Sequence, residues 1–176
     1  MGILKELPSN YYDNYDFPVV FTRVSNIYGP GQMNFSAIVP DGIRSGLGYS
    51  TFVPRSDGSM VRDFIFSEDV ADLYMRIAKE LALKPAKLKG QIFNAGSNQP
   101  INMKSLLVKI YNSLGNSKSL EIILTQMKGK KTKGEIQHQH MSFDKVFEYL
   151  DWKPENSIDQ GIDKSTNWYK KILKKI

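Results

Sequence analysis

The sequence predicts an α/β protein in which short strands alternate with amphipathic helices. The clearest signal is the stretch of residues 56–74, where an Asp57-Gly58 turn leads into a short β-forming run and then into a helix. A second signal is the continuous apolar and β-branched run of residues 17–24, which is typical of a strand buried on both faces of a parallel sheet and not of an edge strand. The third is a brief strand in residues 90–96 that closes at a glycine turn.

Composition restricts the class of protein. The chain has 176 residues, of which 41% are hydrophobic and 11% aromatic, enough for one domain with a core. It contains no Cys, so disulfides, thiolate metal sites and a Cys nucleophile are excluded. Residues 1–5 lack the apolar core of a signal peptide and no apolar run approaches the length of a bilayer span. We therefore expect a cytoplasmic protein without a membrane partner.

The net charge of +6 is concentrated in two lysine clusters, residues 128–133 and 170–175. The first has no interleaved aromatic residues on which bases could stack, and the second lies at a helix C-terminus, where cations are favoured. A solvated loop and a tail are therefore favoured over a nucleic-acid surface.

Residues 2–54 predict five segments, two helices, two strands and one loop. Residues 2–15 form one helical apolar face that is kinked at Pro8 or begins there. After the strand of residues 17–24, residues 25–32 form a loop at its carboxyl end, where open α/β sheets bind ligands. Residues 35–45 are predicted to form a short helix interrupted by Pro40, and residues 50–54 are predicted to form a small strand.

Ser67 is the predicted N-cap of the central helix, residues 68–83, because its hydroxyl precedes acidic residues in the first turn. Residues 83–89 form a Lys/Pro linker that leads to the strand of residues 90–96. The apolar stripe predicted for the helix consists of Val70, Leu73, Tyr74, Ile77, Ala78 and Leu81.

The last part of the chain predicts a helix capped by Asn102 and closed by Gly115, then a strand in residues 120–124. Ser142 caps a further helix that ends before Trp152. Ser157 and Gln160 form a capping box for the final helix, whose buried face carries Ile158, Ile162, Ser165, Tyr169 and Ile172. No internal repeat or second domain is evident.

Self-sufficient catalytic motifs are absent: there is no Gly-x-Ser-x-Gly elbow, His-Glu-x-x-His pair or phosphate-binding Gly-x-x-x-x-Gly-Lys loop. Arg62, in a short apolar strand, is either paired with Asp63 or Asp69 or directed at an anion in a cleft. His138 and His140 alternate with glutamines, so on a strand both imidazoles share one face. Without a third ligand nearby, this pattern favours a polar segment lining a cleft over a metal site.

Three spaced motifs, residues 23–31, 61–71 and 93–96, resemble landmarks in the C-terminal half of extended short-chain dehydrogenases/reductases of the NAD-dependent epimerase/dehydratase family, which act on nucleotide sugars. The runs at residues 34–45 and 135–139, with Arg55-Ser56-Asp57-Gly58, most resemble the CDP-glucose 4,6-dehydratase branch. The resemblance implies the terminal part of a Rossmann-type sheet plus a small mixed α/β substrate-binding subdomain.

The resemblance also implies a set of substrate contacts. Asn26 would bind the phosphate or sugar of a nucleoside-diphosphate sugar, and Arg62 would clamp its pyrophosphate. Asn102 and His138 would contact the nucleotide end. Ala37 departs from the family, whose members tend to carry a longer polar or basic side chain there, so one substrate contact is expected to be missing or replaced.

The family's cofactor is NAD, and the resemblance puts Val24 and Ser25 beside the nicotinamide. The Gly-rich NAD turn and the Tyr-x-x-x-Lys dyad that the family carries before the strand of residues 17–24 are not found there in this sequence; the dyad lysine would align near Met1, and Lys5 is out of register. We therefore expect that the N-terminal NAD-binding half is absent, that residues 1–176 are a C-terminal nucleotide-sugar-binding region, and that NAD does not bind this chain alone.

In a complete relative, hydride would pass from sugar C4 to NAD, water would be lost across C5 and C6, and hydride would return to C6. An epimerase fragment is an alternative to the dehydratase. A non-catalytic binding subunit, completed by a separate NAD-binding chain or acting as a homodimer, is another.

Overall fold

The computed structural model describes residues 14, 15, 17–130 and 134–175. The helix predicted for residues 2–15 therefore lies outside the described residues except for its last two positions, as do residues 131–133 of the first lysine cluster.

The described residues alternate between short strands and helices, which confirms the predicted α/β class. The strands are β1 (Phe21–Val24), β2 (Asn26–Tyr28), β3 (Val61–Arg62), β4 (Phe64–Phe66), β5 (Ile92–Ala95) and β6 (Ile101–Asn102). The helices are α1 (Ile38–Gly46), α2 (Ser67–Leu83), α3 (Pro85–Leu88), α4 (Met103–Leu114), α5 (Ser117–Met127), α6 (Asp144–Leu150) and α7 (Ile158–Ile172), followed by a 3-10 turn, Leu173–Lys175.

Strand β1 is shorter and more exposed than the sequence predicts. It pairs in parallel with β5, with Phe21 opposite Ile92 and Val24 opposite Ala95. Its residues are partly buried or exposed, and no strand of the described residues pairs with its other edge. The expectation of a strand buried on both faces and away from an edge is therefore wrong for the described chain, because only one neighbouring strand is available to cover it.

The residues after β1 form a strand where a loop is predicted: β2 pairs in parallel with β4, with Asn26 opposite Phe64. The Asp57-Gly58 turn is confirmed, since Gly58 has φ +76° and Asp57 accepts a hydrogen bond from the Ser59 amide at 3.0 Å. The strand beyond this turn divides at Asp63. Before it, β3 pairs antiparallel with β6; after it, β4 joins β2.

Two apolar clusters form the interior. The first core lies among α1, α4, α5 and α7, and its buried residues include Tyr28, Val39, Ile43, Phe64, Phe66, Leu106, Leu107, Ile110, Tyr111, Ile123, Ile162 and Tyr169. The second core lies between the β1–β5 sheet and helices α2 and α6, and it contains Ile65, Val70, Leu73, Ile77, Leu88, Phe93, Ala95, Val146 and Trp152.

Local capping chemistry is confirmed at three helix ends. The Asn102 side chain accepts from the Ser105 amide at 2.7 Å at the start of α4, and Gly115 ends that helix with φ +69°. Ser157 and Gln160 form the predicted reciprocal capping box at the start of α7. On the predicted face of α7, Ile162, Ser165 and Tyr169 are buried and Ile158 and Ile172 are partly buried.

Several local predictions are wrong. Ser67 is the first residue of α2 instead of its cap, since Phe66 holds the cap position without a side-chain bond. Phe143, not Ser142, holds the cap position of α6, although Ser142 Oγ accepts from the Asp144 amide at 3.0 Å. Pro40 falls in the first turn of α1, where a missing amide costs nothing, so it does not interrupt that helix.

Two predicted strands and one linker also differ. Residues 120–124 lie within α5, because Leu120, Ile123 and Met127 bury one helical stripe that overrides the β-branched character of the run. Residues 50–54 form no strand, and the predicted linker contains the short helix α3. On α2, Val70, Leu73 and Ile77 are buried as predicted, whereas Tyr74 and Ala78 are exposed.

Candidate functional site

A small polar cavity of about 110 Å³ lies where β1 and β2 meet, at the carboxyl end of β1. Val24, Ser25 and Asn26 line one side of it, and Gln139, His140 and Met141 line another. This is the sheet edge at which parallel α/β proteins bind ligands. The prediction that the polar segment around His138 and His140 lines a cleft is confirmed by Gln139 and His140.

Asp63 joins the walls of this cavity. It is 1% exposed, and its carboxylate accepts hydrogen bonds from the Ser97 amide at 3.1 Å, from the Ser97 hydroxyl and from the Met141 amide at 3.3 Å. The Asp63 carbonyl also accepts from the Asn26 amide side chain at 2.9 Å. A buried carboxylate with several donors is a strong anchor, because each bond to a charged acceptor is worth more than a neutral one.

Gly96 makes this arrangement possible. A Cβ at residue 96 would lie 2.1 Å from Asp63 Oδ2 and 2.2 Å from the Met141 carbonyl oxygen. Only a residue without a side chain allows the Asp63 carboxylate and the Met141 backbone to approach the chain so closely. Gly96 follows β5 without forming the predicted turn, so its role here is to leave room for the walls of the cavity.

Ser25 offers this cavity a hydroxyl without a partner. Its Oγ atom is buried and, among the described residues, makes no hydrogen bond. Buried polar atoms are nearly always satisfied, so an orphaned hydroxyl beside a cavity fits a bound polar group such as the carboxamide of a nicotinamide. The residues present thus fit the nicotinamide end of NAD on this side.

A larger cleft, of about 500 Å³, opens between α1, α4 and residues 51–56. Apolar side chains, among them Phe35, Met103 and Met127, form about half of its lining, and the charged side chains of Arg44, Arg55, Asp41 and Glu135 add two positive and two negative charges. The Arg44 guanidinium lies 4.4 Å from the Phe35 ring centre and donates to Asp41 at 3.1 Å. Its walls are thus mixed, and an apolar surface with convergent polar groups is what small-molecule sites offer a ligand.

Arg62 lies at the edge of the larger cleft. Its guanidinium donates to the Val61 carbonyl at 2.9 Å and lies 3.7 Å from the sulfur of Met60 and 3.9 Å from a carboxylate oxygen of Glu135. Met60 and Glu135 both line the cleft. The Arg62 side chain is 18% exposed, so a largely buried cation faces one carboxylate beyond hydrogen-bonding distance.

The ion pairs first considered for Arg62 do not form. Asp63 is engaged by Ser97 and Met141, and Asp69 accepts from the Glu155 amide at 3.0 Å and from the Asn156 side chain at 2.8 Å. The nearby carboxylate is that of Glu135, for which no sequence pattern predicted a pairing with Arg62. Asn26 lines the small cavity whereas Arg62 borders the larger cleft, and Asp63 separates the two positions.

The remaining predicted contacts are less engaged with either cavity. The Asn102 side-chain oxygen is used in capping α4. His138 is exposed; its backbone forms an isolated parallel β-bridge with Val61, and its ring lies beside that of His140. Ala37 occupies the N-cap position of α1, between Ser36 and Ile38 of the cleft lining, and has no polar side chain to offer there.

Sequence reasoning missed Asp63 as an anchor, and it missed Phe35, Arg44 and Arg55 as parts of the cleft lining. The available signal for Asp63 was a carboxylate inside an apolar strand run, which is costly to bury without donors. The described residues hold no group of three or more His, Cys, Asp or Glu side chains that could bind a metal ion. Within the same part of the chain, no helix is both long and apolar enough to cross a membrane.

Comparison with protein families identifies the class to which this arrangement belongs. Residues 4–96, which are 93 of the 176 residues, match the model of the NAD dependent epimerase/dehydratase family. The chain is therefore a member of the NAD-dependent epimerase/dehydratase family. Parallel strands with a polar cavity at their carboxyl edge agree with that membership.

Individual relatives are moderately similar and about twice as long. Protein CapI of Staphylococcus aureus is 25% identical over 190 residues, covering 97% of this chain and 53% of that protein. The dTDP-D-glucose 4,6-dehydratase of Homo sapiens is 26% identical over 164 residues, covering 92% of this chain and 44% of that protein. The chain thus spans about half the length of the curated relatives it matches.

The fold is similar to that of a solved structure, the Bordetella bronchiseptica enzyme WbmF in complex with NAD+ and UDP. The TM-score is 0.76 at 24% identity, and the similarity covers 97% of this chain and 50% of that one. This likeness confirms the Rossmann-like α/β fold.

Proposed function

We propose that this chain is the nucleotide-sugar-binding portion of an NAD-dependent sugar-nucleotide 4,6-dehydratase of the CDP-glucose type, and that it is inactive alone. The observation that carries the proposal is Arg62, a largely buried guanidinium at the edge of the 500 Å³ cleft, next to the cleft residues Met60 and Glu135. A nucleoside-diphosphate sugar carries anionic phosphates next to its nucleoside, so a cation at the rim of a nucleoside-sized cleft fits such a ligand.

The nucleoside would occupy the larger cleft, where apolar side chains can cover a base and Arg44 and Arg55 supply hydrogen-bond donors. The pyrophosphate would approach Arg62, whose planar guanidinium suits bidentate phosphate binding. Glu135 lies 3.9 Å from this guanidinium and is half-exposed, so an incoming phosphate can displace it at small cost. The sugar would then reach Asn26.

NAD supplies a hydride acceptor when it is bound to a complete relative. In this chain, Val24 and the unpartnered Ser25 hydroxyl would contact the nicotinamide end. Ahead of the strand of residues 17–24, where the family carries them, the sequence has neither a Gly-rich turn for the NAD pyrophosphate nor a Tyr-x-x-x-Lys dyad; Tyr149 and Lys153 match the dyad spacing but follow that strand by more than a hundred residues. We therefore expect neither measurable NAD binding nor turnover of CDP-glucose by the purified chain.

Two alternatives share the same site. An epimerase fragment would use the same nucleotide cleft, and the matched family includes both reactions. A binding subunit completed by a separate NAD-binding chain, or by a second copy, is favoured by the outer edge of β1, with which no strand of the described residues pairs.

Calorimetric titration of the purified chain with CDP-glucose, dTDP-glucose, UDP-glucose and free glucose tests the proposal. Nucleoside-diphosphate sugars should bind and free glucose should not. The Arg62→Ala variant should lose about 1.5–3 kcal/mol of binding free energy, because a bond to a charged group is removed.

Arg76→Ala is the matched control, since Arg76 is an exposed arginine on α2 paired with Asp72 at 2.8 Å. Arg62→Lys keeps the charge but not the planar fork, so it should recover only part of the affinity. Equal affinity of Arg62→Ala and Arg76→Ala would contradict the assignment of the pyrophosphate to Arg62. Micromolar NAD binding would contradict the proposed inactivity of the chain alone.

A further inference from the structure

We infer that His138 and His140 form a bidentate chelate for a zinc-like divalent cation. Their Nδ1 atoms are 3.4 Å apart, and the two rings meet edge to face at 86° with centres 5.0 Å apart. Both side chains are exposed. The inference is independent of the proposed nucleotide-sugar function.

The separation of the two nitrogens fits a tetrahedral ion. With Zn–N bonds of about 2.05 Å, two ligands at the tetrahedral angle are about 3.3–3.4 Å apart, whereas two at a right angle are about 2.9 Å apart. The observed 3.4 Å therefore matches zinc better than a square-planar ion. Water would complete the coordination, since the described residues offer no group of three such ligands.

The backbone holds the pair in this arrangement before any ion binds. The Val61 amide donates to the Gln137 carbonyl at 2.8 Å, and the Gln139 amide donates to the Val61 carbonyl at 3.1 Å. The Met141 amide donates to the buried Asp63 carboxylate at 3.3 Å. These bonds fix residues 137, 139 and 141, so the two histidines between them are kept on one face and the ion need not order the segment itself.

The composition of the chain makes the zinc-binding test easy to interpret, because the sequence contains two histidines and no cysteine. Any binding through imidazole must therefore involve this pair. Zinc chloride is titrated into the untagged full chain, in a buffer without phosphate or nucleotide, against a chromophoric chelator. One equivalent should bind.

His138→Gln and His140→Gln should each weaken zinc binding on the order of a hundredfold, because loss of one arm abolishes the chelate advantage. Gln137→Ala, in the same segment, is the control and should leave the affinity unchanged. All three positions are exposed, so circular dichroism should show the same fold. Cobalt(II) should give the visible absorption of a tetrahedral site in the parent chain and in neither histidine variant.

Zinc affinity that survives both histidine substitutions would assign the ion to groups other than imidazole and overturn the inference. Dependence on only one histidine would show a single-ligand contact, and absence of binding would exclude the site altogether. Each of these results would overturn the chelate.

Discussion

The first and second cores contain similar apolar side chains but are enclosed differently. The first is surrounded by helices α1, α4, α5 and α7, which cover it from several sides. The second backs onto the β1–β5 pair, and no strand of the described residues covers the outer edge of β1. Phe17, before β1, is 60% exposed, and Met75 on α2 is 71% exposed. Complete burial of individual side chains therefore does not make a region self-sufficient, and we expect the second core to be the less stable one.

Truncation of a matched aliphatic residue in each core should have the largest effect. Leu73 in the second core and Ile110 in the first are both 0% exposed. Leu73→Ala and Ile110→Ala should each cost about 2–5 kcal/mol of unfolding free energy through lost burial and the cavity left behind. Urea denaturation followed by tryptophan fluorescence measures both.

The two tryptophans allow each core to be observed separately, because Trp152 is buried in the second core and Trp168 packs against the first. A Trp168→Phe background reports the second core, and a Trp152→Phe background reports the first. Trp152 should respond at lower urea than Trp168. Coincident transitions that shift equally in Leu73→Ala and Ile110→Ala would show one cooperative unit and remove the distinction.

Loss of the Asp63 carboxylate should have the next largest effect. Asp63→Ala leaves the Ser97 and Met141 amides without their acceptor, and unpartnered buried donors cost about 1–3 kcal/mol each, so we expect a loss of about 3 kcal/mol. Asp72→Ala, on the exposed face of α2, should cost about 0–1 kcal/mol because it breaks only a surface ion pair. Equal losses measured by urea denaturation would show that Asp63 is not an anchor.

Alkaline pH should destabilise the first core selectively, because it contains three buried tyrosines. Burial raises the pKa of Tyr169 to about 12, and burial also raises the pKa values of Tyr28 and Tyr111. The folded chain thus holds these phenol protons more tightly than the unfolded chain, whose tyrosines titrate near pH 10.

The stabilisation is therefore complete below about pH 10 and is lost as pH rises from there toward about 12. Urea denaturation between pH 9 and 12, read through Trp168, should show this decline, and Tyr169→Phe should reduce its slope. A steeper decline at Trp152 would contradict the assignment to the first core.

The smallest effect concerns association through the second core. Met75→Lys adds a charge to the exposed face of α2 and should weaken self-association of the chain by about tenfold, roughly 1.4 kcal/mol. Ile122→Lys is the control, because Ile122 is 54% exposed and lies on α5, beside the first core. This substitution should not change the self-association. Sedimentation velocity of the parent chain and both variants at several concentrations measures the self-association. A parent chain that stays a compact monomer at all concentrations would contradict the predicted association.

Features governed by neighbouring residues could be predicted from the sequence. The Asn102 cap, the αL Gly115 and the Ser157–Gln160 box each depend on partners within a few positions, and all three are confirmed. The strand expected at residues 120–124 is wrong because propensity and helical periodicity disagree there, and tertiary burial of Ile123 decided the outcome.

The geometry of the candidate site could not be predicted in the same way. Asp63 binds Ser97 and Met141, which are 34 and 78 residues away, and no short-range pattern marks such pairs. The partner of Arg62, Glu135, is similarly remote in sequence. The motif resemblance selected Asn26 and Arg62 as candidates, but it carried no information about which cavity each one borders.

The close approach at Gly96 has a consequence for mutational tolerance. A saturation library at residue 96 should yield folded protein almost only for the parent residue, since even alanine would place a methyl carbon about 2 Å from both the Asp63 carboxylate and the Met141 carbonyl. Neither neighbour is a flexible side-chain end that can swing away, because one is anchored by Ser97 and the other is backbone. Position 96 should thus be among the least substitutable of the described chain, although glycine itself makes none of the hydrogen bonds that hold the cavity together.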